Sequence, residues 1–385
     1  MKIAMFSWET LHSIAVGGIA PVVTELAAAL ERKGEEIHVF TRMGEGQRLY
    51  ELIDGVHYHR CSHRLVPNFF EEVNDMCRSF ADHFFQTEDY IGGFDVIHGH
   101  DWLTANAVGW IKEGRGNKTV FTVHSTEYGR CGNNFWGGAS AVIRDHERYG
   151  TYIADRVTAV SNNLKSEIEW MYNVPEWKAN VVYNGISVHN FDGWVDPGEI
   201  KKRYAVGPLE PTALFVGRMT YQKGPDLLVE AIPSILRYYP KAKFVFVGDG
   251  DMMRGVEDQA HALEISNAAR FLGYRSGQEL IDIFKAADVV CIPSRNEPFG
   301  VVALEAWAAG KPVIASKNGG PDEFVWHEVN GLKVSDNPDS IAWGIGTLFA
   351  DFERAREIGM NGRKTAEQAF SWESIADQML EVYYS

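Results

Sequence analysis

The sequence predicts an α/β protein of two doubly wound units, and three observations lead there. Short apolar runs of strand length alternate with longer stretches of helical periodicity. The alternation lapses once near the middle and then restarts. At 385 residues the chain exceeds what one hydrophobic core ordinarily spans, so two units are expected. Alternation of this kind favours a parallel sheet covered by helices on both faces.

The elements follow in order. "KIAMFS" reads as a strand, "APVVTELAAALERKG" as a helix ending at Gly34, and "EIHVFTR" as a second strand. "PNFFEEVNDMCRSFADHFF" has amphipathic helical spacing. Strands follow at "DVIHGH", "KTVFTVHS", "RVTAVS" and "NVVYN". From Asn184 to about Pro211 the residues turn to Gly, Pro and polar types, the composition of a connector with one short helix at best. Beyond it come strands "ALFVGR", "KFVFVGD", "ARFLGY", "DVVCIPS" and "PVIAS", with helices such as "PDLLVEAIPSILRYY" and "QELIDIFKAA" between. The expected division is a first unit over 1–190, a linker over 191–211 and a second unit over 212–370. A last amphipathic helix, 371–385, is expected to pack back toward the first unit.

A net charge of −15 argues against a nucleic-acid partner, because phosphate backbones select basic surfaces. No run of about 18 apolar residues marks a membrane span, which leaves room only for peripheral membrane contact. The first ten residues read as a strand and not as a secretory signal. The four cysteines are scattered, with no Cys-x-x-Cys pair, so neither a disulfide framework nor a zinc site is expected. Cytoplasmic location is the expectation.

The unusual residues fall at strand ends, where ligands of open parallel sheets lie. Between the first strand and the first helix stands "VGG", with Gly17 and Gly18; its backbone can approach a ligand, and amides at a helix start favour an anion. A plain tight turn would look the same. In "FVGRMTYQKG", Arg218 and Lys223 share one loop of an acidic protein and can converge on a diphosphate. Two solvated surface cations are the bland alternative. "SRNEPFGVVALEAWAAGKPVIA" carries Glu297 in a turn and Glu305 on the apolar helix after it. Buried carboxylates are costly without partners. Vicinal sugar hydroxyls would satisfy them; so would a helix N-terminus and an internal salt bridge. "HGHDW" raises the idea of a metal held by His98, His100 and Asp101, but no third ligand motif stands nearby. "GDGD", at Gly248–Asp251, mimics an Asp-x-Asp metal motif, although a turn explains it better. The aromatic run "NNFWGGASAVIRDHERYG" is either an acceptor surface or ordinary packing.

Taken together, "VGG", "HGHDW", "AVSNNLKSEI", "NGIS", "FVGRMTYQKG", "PSRNEPFGVVALEAWAAGKPVIASKNGG" and "NGLKV" resemble the retaining nucleotide-sugar glycosyltransferases of family 4, nearly end to end. Within them the chain is similar to glycogen and starch synthases and to maltose-1-phosphate synthases. It departs from the glycogen synthases at Ala15, where they carry Lys, and at Ser187, where they carry Asp. The resemblance implies a GT-B fold, two Rossmann-like domains facing each other across a cleft that closes over the donor. It implies a catalytic set of Arg218, Lys223, Glu297 and His124. Donor binding would fall to Gly17, Gly18, Phe299, Gly300, Val301 and Glu305, with Gly273, Tyr274 and Arg275 at the base. His100, Asp101 and Tyr128 would lie on the acceptor side.

The implied partners are a nucleotide-diphosphate sugar and a carbohydrate or other hydroxyl acceptor, with no cofactor and no metal. The implied reaction moves a sugar, glucose first, onto an α-glucan or onto a small or lipid-linked acceptor, with retention. Retention through a nucleophile would need two carboxylates about 5 Å apart. No first-unit carboxylate stands out for that, so departure and attack on one face is the expectation. A GT-B-shaped sugar-nucleotide epimerase and a non-catalytic sugar-nucleotide-binding protein are the rival readings. Nucleotide base and oligomeric state are not legible.

Overall fold

The computed structural model describes Met1–Ser385. The chain divides into two compact units, one of Met1–Tyr128, Phe135–Gly185 and Trp372–Ser385, the other of Gly129–Asn134 and Ile186–Ser371.

The first unit is built on β1 (Lys2–Ser7), β2 (Glu36–Arg42), β3 (Tyr50–Ile53), β4 (Val56–Cys61), β5 (Val96–His100), β6 (Lys118–Val123), β7 (Arg156–Ala159) and β8 (Ala179–Val181). They form one sheet in the order β3-β4-β2-β1-β5-β6-β7-β8. All neighbours are parallel except β3 and β4. Strands buried on both faces need continuous apolar runs, and β1 supplies one: Ile3, Ala4, Met5 and Phe6 are fully buried. The β3–β4 pair is absent from the sequence reading because "VHYHR" alternates histidine with other residues and β3 lies exposed at the edge.

The second unit is wholly parallel. Its strands are β9 (Thr212–Val216), β10 (Lys243–Val247), β11 (Ala269–Phe271), β12 (Val289–Ile292), β13 (Val313–Ser316) and β14 (Gly331–Val334), in the order β11-β10-β9-β12-β13-β14. Phe215, Phe244 and Phe246 fill its centre, with Leu228 and Ile232 from the helix Pro225–Leu236 packed on them.

The stretch 191–211 is not a free connector. Asp196 caps a helix over Pro197–Arg203, whose Lys201 donates to Asp288 at 2.8 Å and to the Glu210 carbonyl at 3.0 Å. That helix is part of the second unit. The last helix, Trp372–Tyr384, belongs to the first: Arg32 pairs with Glu373 at 2.9 Å, Lys33 with Asp377 at 2.7 Å, and Trp372 packs on Gly185.

Burial holds an unusual number of histidines neutral in the first unit. His59 and His98 are pushed down to about 3 and His38 to about 4, chiefly by desolvation; His12, His100 and His124 shift the same way. A histidine lowered in the folded state keeps its full stability above its unfolded value, about 6.5, and loses it as pH falls below. Two carboxyls, Glu9 and Glu305, are raised by burial and act in the opposite sense. Six groups outnumber two, so unfolding near pH 5 takes up protons. We expect the melting temperature to fall steadily from pH 7 to pH 5, and His98→Gln to flatten that slope by up to about 1.4 kcal/mol per pH unit. A pH-independent melting temperature over this range would contradict it.

Candidate functional site

In the second unit the winding reverses between β9 and β12. Ligands of open parallel sheets lie beyond the strand carboxyl ends at such a point. The loop after β9 carries Arg218 and Lys223, and the turn after β12 carries Glu297.

Lys223 closes a single turn of 3₁₀ helix, Tyr221–Lys223, and its Nζ donates to both carboxylate oxygens of Glu297 at 2.8 Å. Ser294 Oγ donates to the same carboxylate at 2.9 Å. Glu297 is only 6 % exposed, so this pair answers how that carboxylate is tolerated. An ammonium has three protons, and two bonds to Glu297 leave one for a further acceptor. Arg218 is exposed, its Nη2 donating to Gln222 Oε1 at 3.3 Å.

Residues that sequence reasoning missed fix this geometry. Arg295 reaches back over the turn that holds Lys223: its guanidinium stacks on Tyr221 at 4.0 Å and pairs with Asp226 at 2.9 and 2.5 Å. Its Nη1 also donates to the Tyr221 carbonyl at 3.0 Å. Glu297 is clamped by the segment after β13, with its N–H on the Asn318 carbonyl at 2.9 Å and its carbonyl accepting from Gly320 at 2.8 Å. Gly319 sits at φ +116°, and a Cβ there would strike the Glu297 carbonyl. Only the "NGG" spacing hinted at this.

Gly300, at φ +99°, starts the helix Val301–Ala308, and no side chain caps it. The Ala303 amide donates to the Gly300 carbonyl at 2.9 Å, and the amides before it, of Val301 and Val302, have no side-chain cap. Glu305 lies one turn further along. The residue is half-buried, its carboxyl has no protein partner, and desolvation alone pushes it up to about 7. The two glutamates are thus unlike: one is internally satisfied and the other is not.

Gly273, Tyr274 and Arg275 follow β11, two strands from β9. The Gly273 carbonyl accepts from Gly248 at 2.9 Å and Tyr274 is exposed. Arg275 is engaged locally, with Nε on Glu279 at 2.9 Å and Nη1 on the Tyr274 carbonyl at 2.8 Å. The Gly248–Asp251 stretch is a turn that braces the Arg218 loop, its Asp249 carbonyl accepting from Met219 at 2.8 Å.

In the first unit the reversal falls between β1 and β5. Here the structure adds a neighbour that the sequence did not reveal. The loop amides of Val16 and Gly17 already hold an anion, the carboxylate of Glu9, at 2.5 and 2.6 Å. Burial raises the pKa of Glu9 against those two bonds and the nearby Arg42. Gly18 is the first helix's N-cap at φ −70°, and a Cβ on it would meet nothing within 4 Å. Nothing in the fold demands glycine there.

His98 is no metal ligand: Nδ1 bonds Tyr383 Oη at 2.7 Å and Nε2 bonds Thr122 Oγ1 at 2.6 Å. No three His, Cys, Asp or Glu are grouped to hold a metal ion. His100 Nδ1 meets His124 Nε2 at 3.0 Å, and Asp101 Oδ1 accepts from the His124 amide at 2.7 Å. Tyr128 packs with Phe135 and Trp170, ring centroids at 4.8 and 5.6 Å, and both of those rings are largely exposed.

Two parallel-sheet α/β domains, each with its distinctive residues at a strand-order reversal, are the architecture of the GT-B class. The comparisons bear this out and give the family. Residues 198–365 match the model of the glycosyl transferases group 1, and residues 16–190 match that of glycosyltransferase family 4. An uncharacterized glycosyltransferase of Methanocaldococcus jannaschii is 40 % identical over the whole of this chain and 98 % of its own. The chain belongs to this glycosyltransferase family. Glycogen synthase of Mycobacterium tuberculosis is 27 % identical over all of this chain and 94 % of its own. Among solved structures, sucrose-phosphate synthase from Thermosynechococcus elongatus is similar with a TM-score of 0.82 and 26 % identity, covering 100 % of this chain and 98 % of that one.

Proposed function

We propose that this glycosyltransferase moves a hexose, glucose first, from a nucleotide-diphosphate sugar to a hydroxyl acceptor, with retention and without a metal. The observation that carries the reading is the pairing of Lys223 with Glu297 beside an unpartnered Glu305, all at the β9–β12 reversal. Lys223 and Arg218 take the diphosphate, with Val301 and its neighbours Phe299 and Gly300 adding backbone donors. Glu305 takes the ribose hydroxyls, which supply the partners the protein withholds. Glu297 contacts the transferred sugar, and the 273–275 segment borders the base. In the first unit His124 lies beside the sugar, Gly17 and Gly18 let the backbone approach it, and His100, Asp101 and Tyr128 stand on the acceptor side.

The barrier is charge separation, positive on the sugar and negative on the leaving diphosphate. Cations fixed toward the leaving group give the largest single lowering. Buried first-unit carboxylates are engaged elsewhere, Glu9 by two amides and Asp101 by the His124 amide. That supports attack on the face from which the diphosphate departs, with the diphosphate accepting the proton.

An α-glucan is the first acceptor reading, in keeping with the glycogen synthase relative. Ala15 and Ser187 keep a small or lipid-linked acceptor as the second. The test incubates the protein with UDP-, ADP- and GDP-glucose, each with a glucan, a panel of sugar phosphates or no acceptor. We expect an α-linked product and free nucleoside diphosphate in EDTA. An altered sugar nucleotide without transfer would mean an epimerase, and binding without turnover a non-catalytic protein; either outcome contradicts the proposal.

A further inference from the structure

His100 is 1 % exposed, and its Nε2 is fully enclosed with no hydrogen-bond partner. Its other ring nitrogen, Nδ1, lies 3.0 Å from His124 Nε2, and the two rings are within 20° of parallel. Burial and the neighbouring His98 and His124 keep His100 uncharged. A neutral imidazole carries one N–H, so only two arrangements exist.

Were the proton on Nε2 of His100, a buried donor would have no acceptor, at a cost of about 1–3 kcal/mol. Were it on Nδ1, the orphan would be a lone pair, a somewhat commoner condition in folded proteins than an orphaned N–H. In either arrangement the bond between His100 Nδ1 and His124 Nε2 is made, so the enclosed Nε2 of His100 decides between them. The surroundings fix the His100 ring in place. His98 lies against it at a centroid distance of 4.1 Å and is itself pinned by Tyr383 and Thr122.

We infer that His100 is a positioning residue: it donates Nδ1–H to His124 Nε2 and so confines the single proton of His124 to Nδ1, where it is offered as a donor to a hydroxyl oxygen of the transferred sugar. His124 then orients the sugar and takes no proton from the acceptor at that nitrogen. The tautomer follows from the first unit alone. The sugar as its recipient rests on the proposed function above.

The test separates those two parts. Protein labelled with ¹⁵N-histidine is examined by long-range ¹H–¹⁵N correlation at pH 7.5, with the His100 and His124 signals assigned by substitution. Protonated Nδ1 and bare Nε2 on both rings is the expected result; a proton on His124 Nε2 would overturn the inference outright. Kinetics read the second part. His100→Phe removes the donor and is expected to lower kcat about tenfold or more. His100→Asn places an amide N–H near the Nδ1 position and is expected to recover most of that loss, while His100→Gln is not. If the spectrum is as expected but neither Phe nor Gln alters kcat, the role of His100 in turnover is overturned while the tautomer stands. If no sugar is transferred by the wild type, the functional reading fails independently of the spectrum.

Discussion

Replacing Lys223 with methionine is expected to lower kcat for sugar transfer by about 10²–10³-fold while the donor KM moves much less. On the proposed function the reason is differential: the leaving diphosphate gains charge in the transition state, and the remaining proton of the Lys223 ammonium would meet it there. The substitution also strands Glu297. Its carboxylate keeps only the Ser294 hydroxyl, and breaking a buried pair costs about 3–5 kcal/mol, less here because the Lys223 side chain is 21 % exposed. A lower rate could then reflect a damaged fold. Urea unfolding of Lys223→Met separates the effects, because kcat at saturating donor is then read on protein shown to be folded. An unchanged kcat in folded Lys223→Met would show that Lys223 serves the fold alone. Arg218→Ala is expected to lower kcat without a comparable stability loss, since Arg218 is exposed.

The second large effect concerns Glu305. On the proposed function, ribose hydroxyls would bind its carboxylate form, and burial pushes the free group up to about 7. Below pH 7 the ligand must displace a proton, so donor affinity is expected to fall by up to about tenfold for each pH unit lost, and to level off above pH 8. A nucleotide-diphosphate sugar is the ligand to use, because its phosphates, esterified at both ends, do not titrate in this range. Glu305→Gln should weaken affinity by about 10–100-fold at pH 8, as expected for hydrogen bonds to a charged acceptor, and flatten the pH profile. The same change should leave stability at pH 8 unchanged or improved, because an ionised carboxylate with no partner is replaced by a neutral amide. Calorimetric titration from pH 6 to 8 checks both; a variant that retains the wild-type slope would sink the assignment.

Much of the architecture was legible because parallel strands buried on both faces must be continuous apolar runs. β1, β9 and β12 could not read otherwise. The β3–β4 edge was not legible, since its faces mix histidine, tyrosine and charge, and strand identity there comes from pairing with β2. The helix Pro197–Arg203 falls in a connector expected to hold one short helix at most, and its docking was not legible. It is short, and what docks it is the contact of Lys201 with Asp288, far along the chain. At the site, residue types pointed to chemistry: two cations in one loop, two carboxylates flanking a helix start. Their partners did not show. That Lys223 neutralises Glu297, that Arg295 braces the Lys223 turn, and that Gly319 lets a neighbouring backbone clamp Glu297 are products of chain crossings between β9, β12 and β13. Glu9 is the instructive miss. Its spacing from Val16 and Gly17 gives no sign that it will occupy the very amides read as an anion site.

The most direct test is a crystal structure of the protein soaked with a nucleoside diphosphate. The account predicts phosphate oxygens within hydrogen-bonding distance of both Lys223 Nζ and the Arg218 guanidinium, with the ribose hydroxyls on Glu305. A nucleotide bound elsewhere, with Lys223 still closed on Glu297 and Glu305 still without a partner, would contradict it.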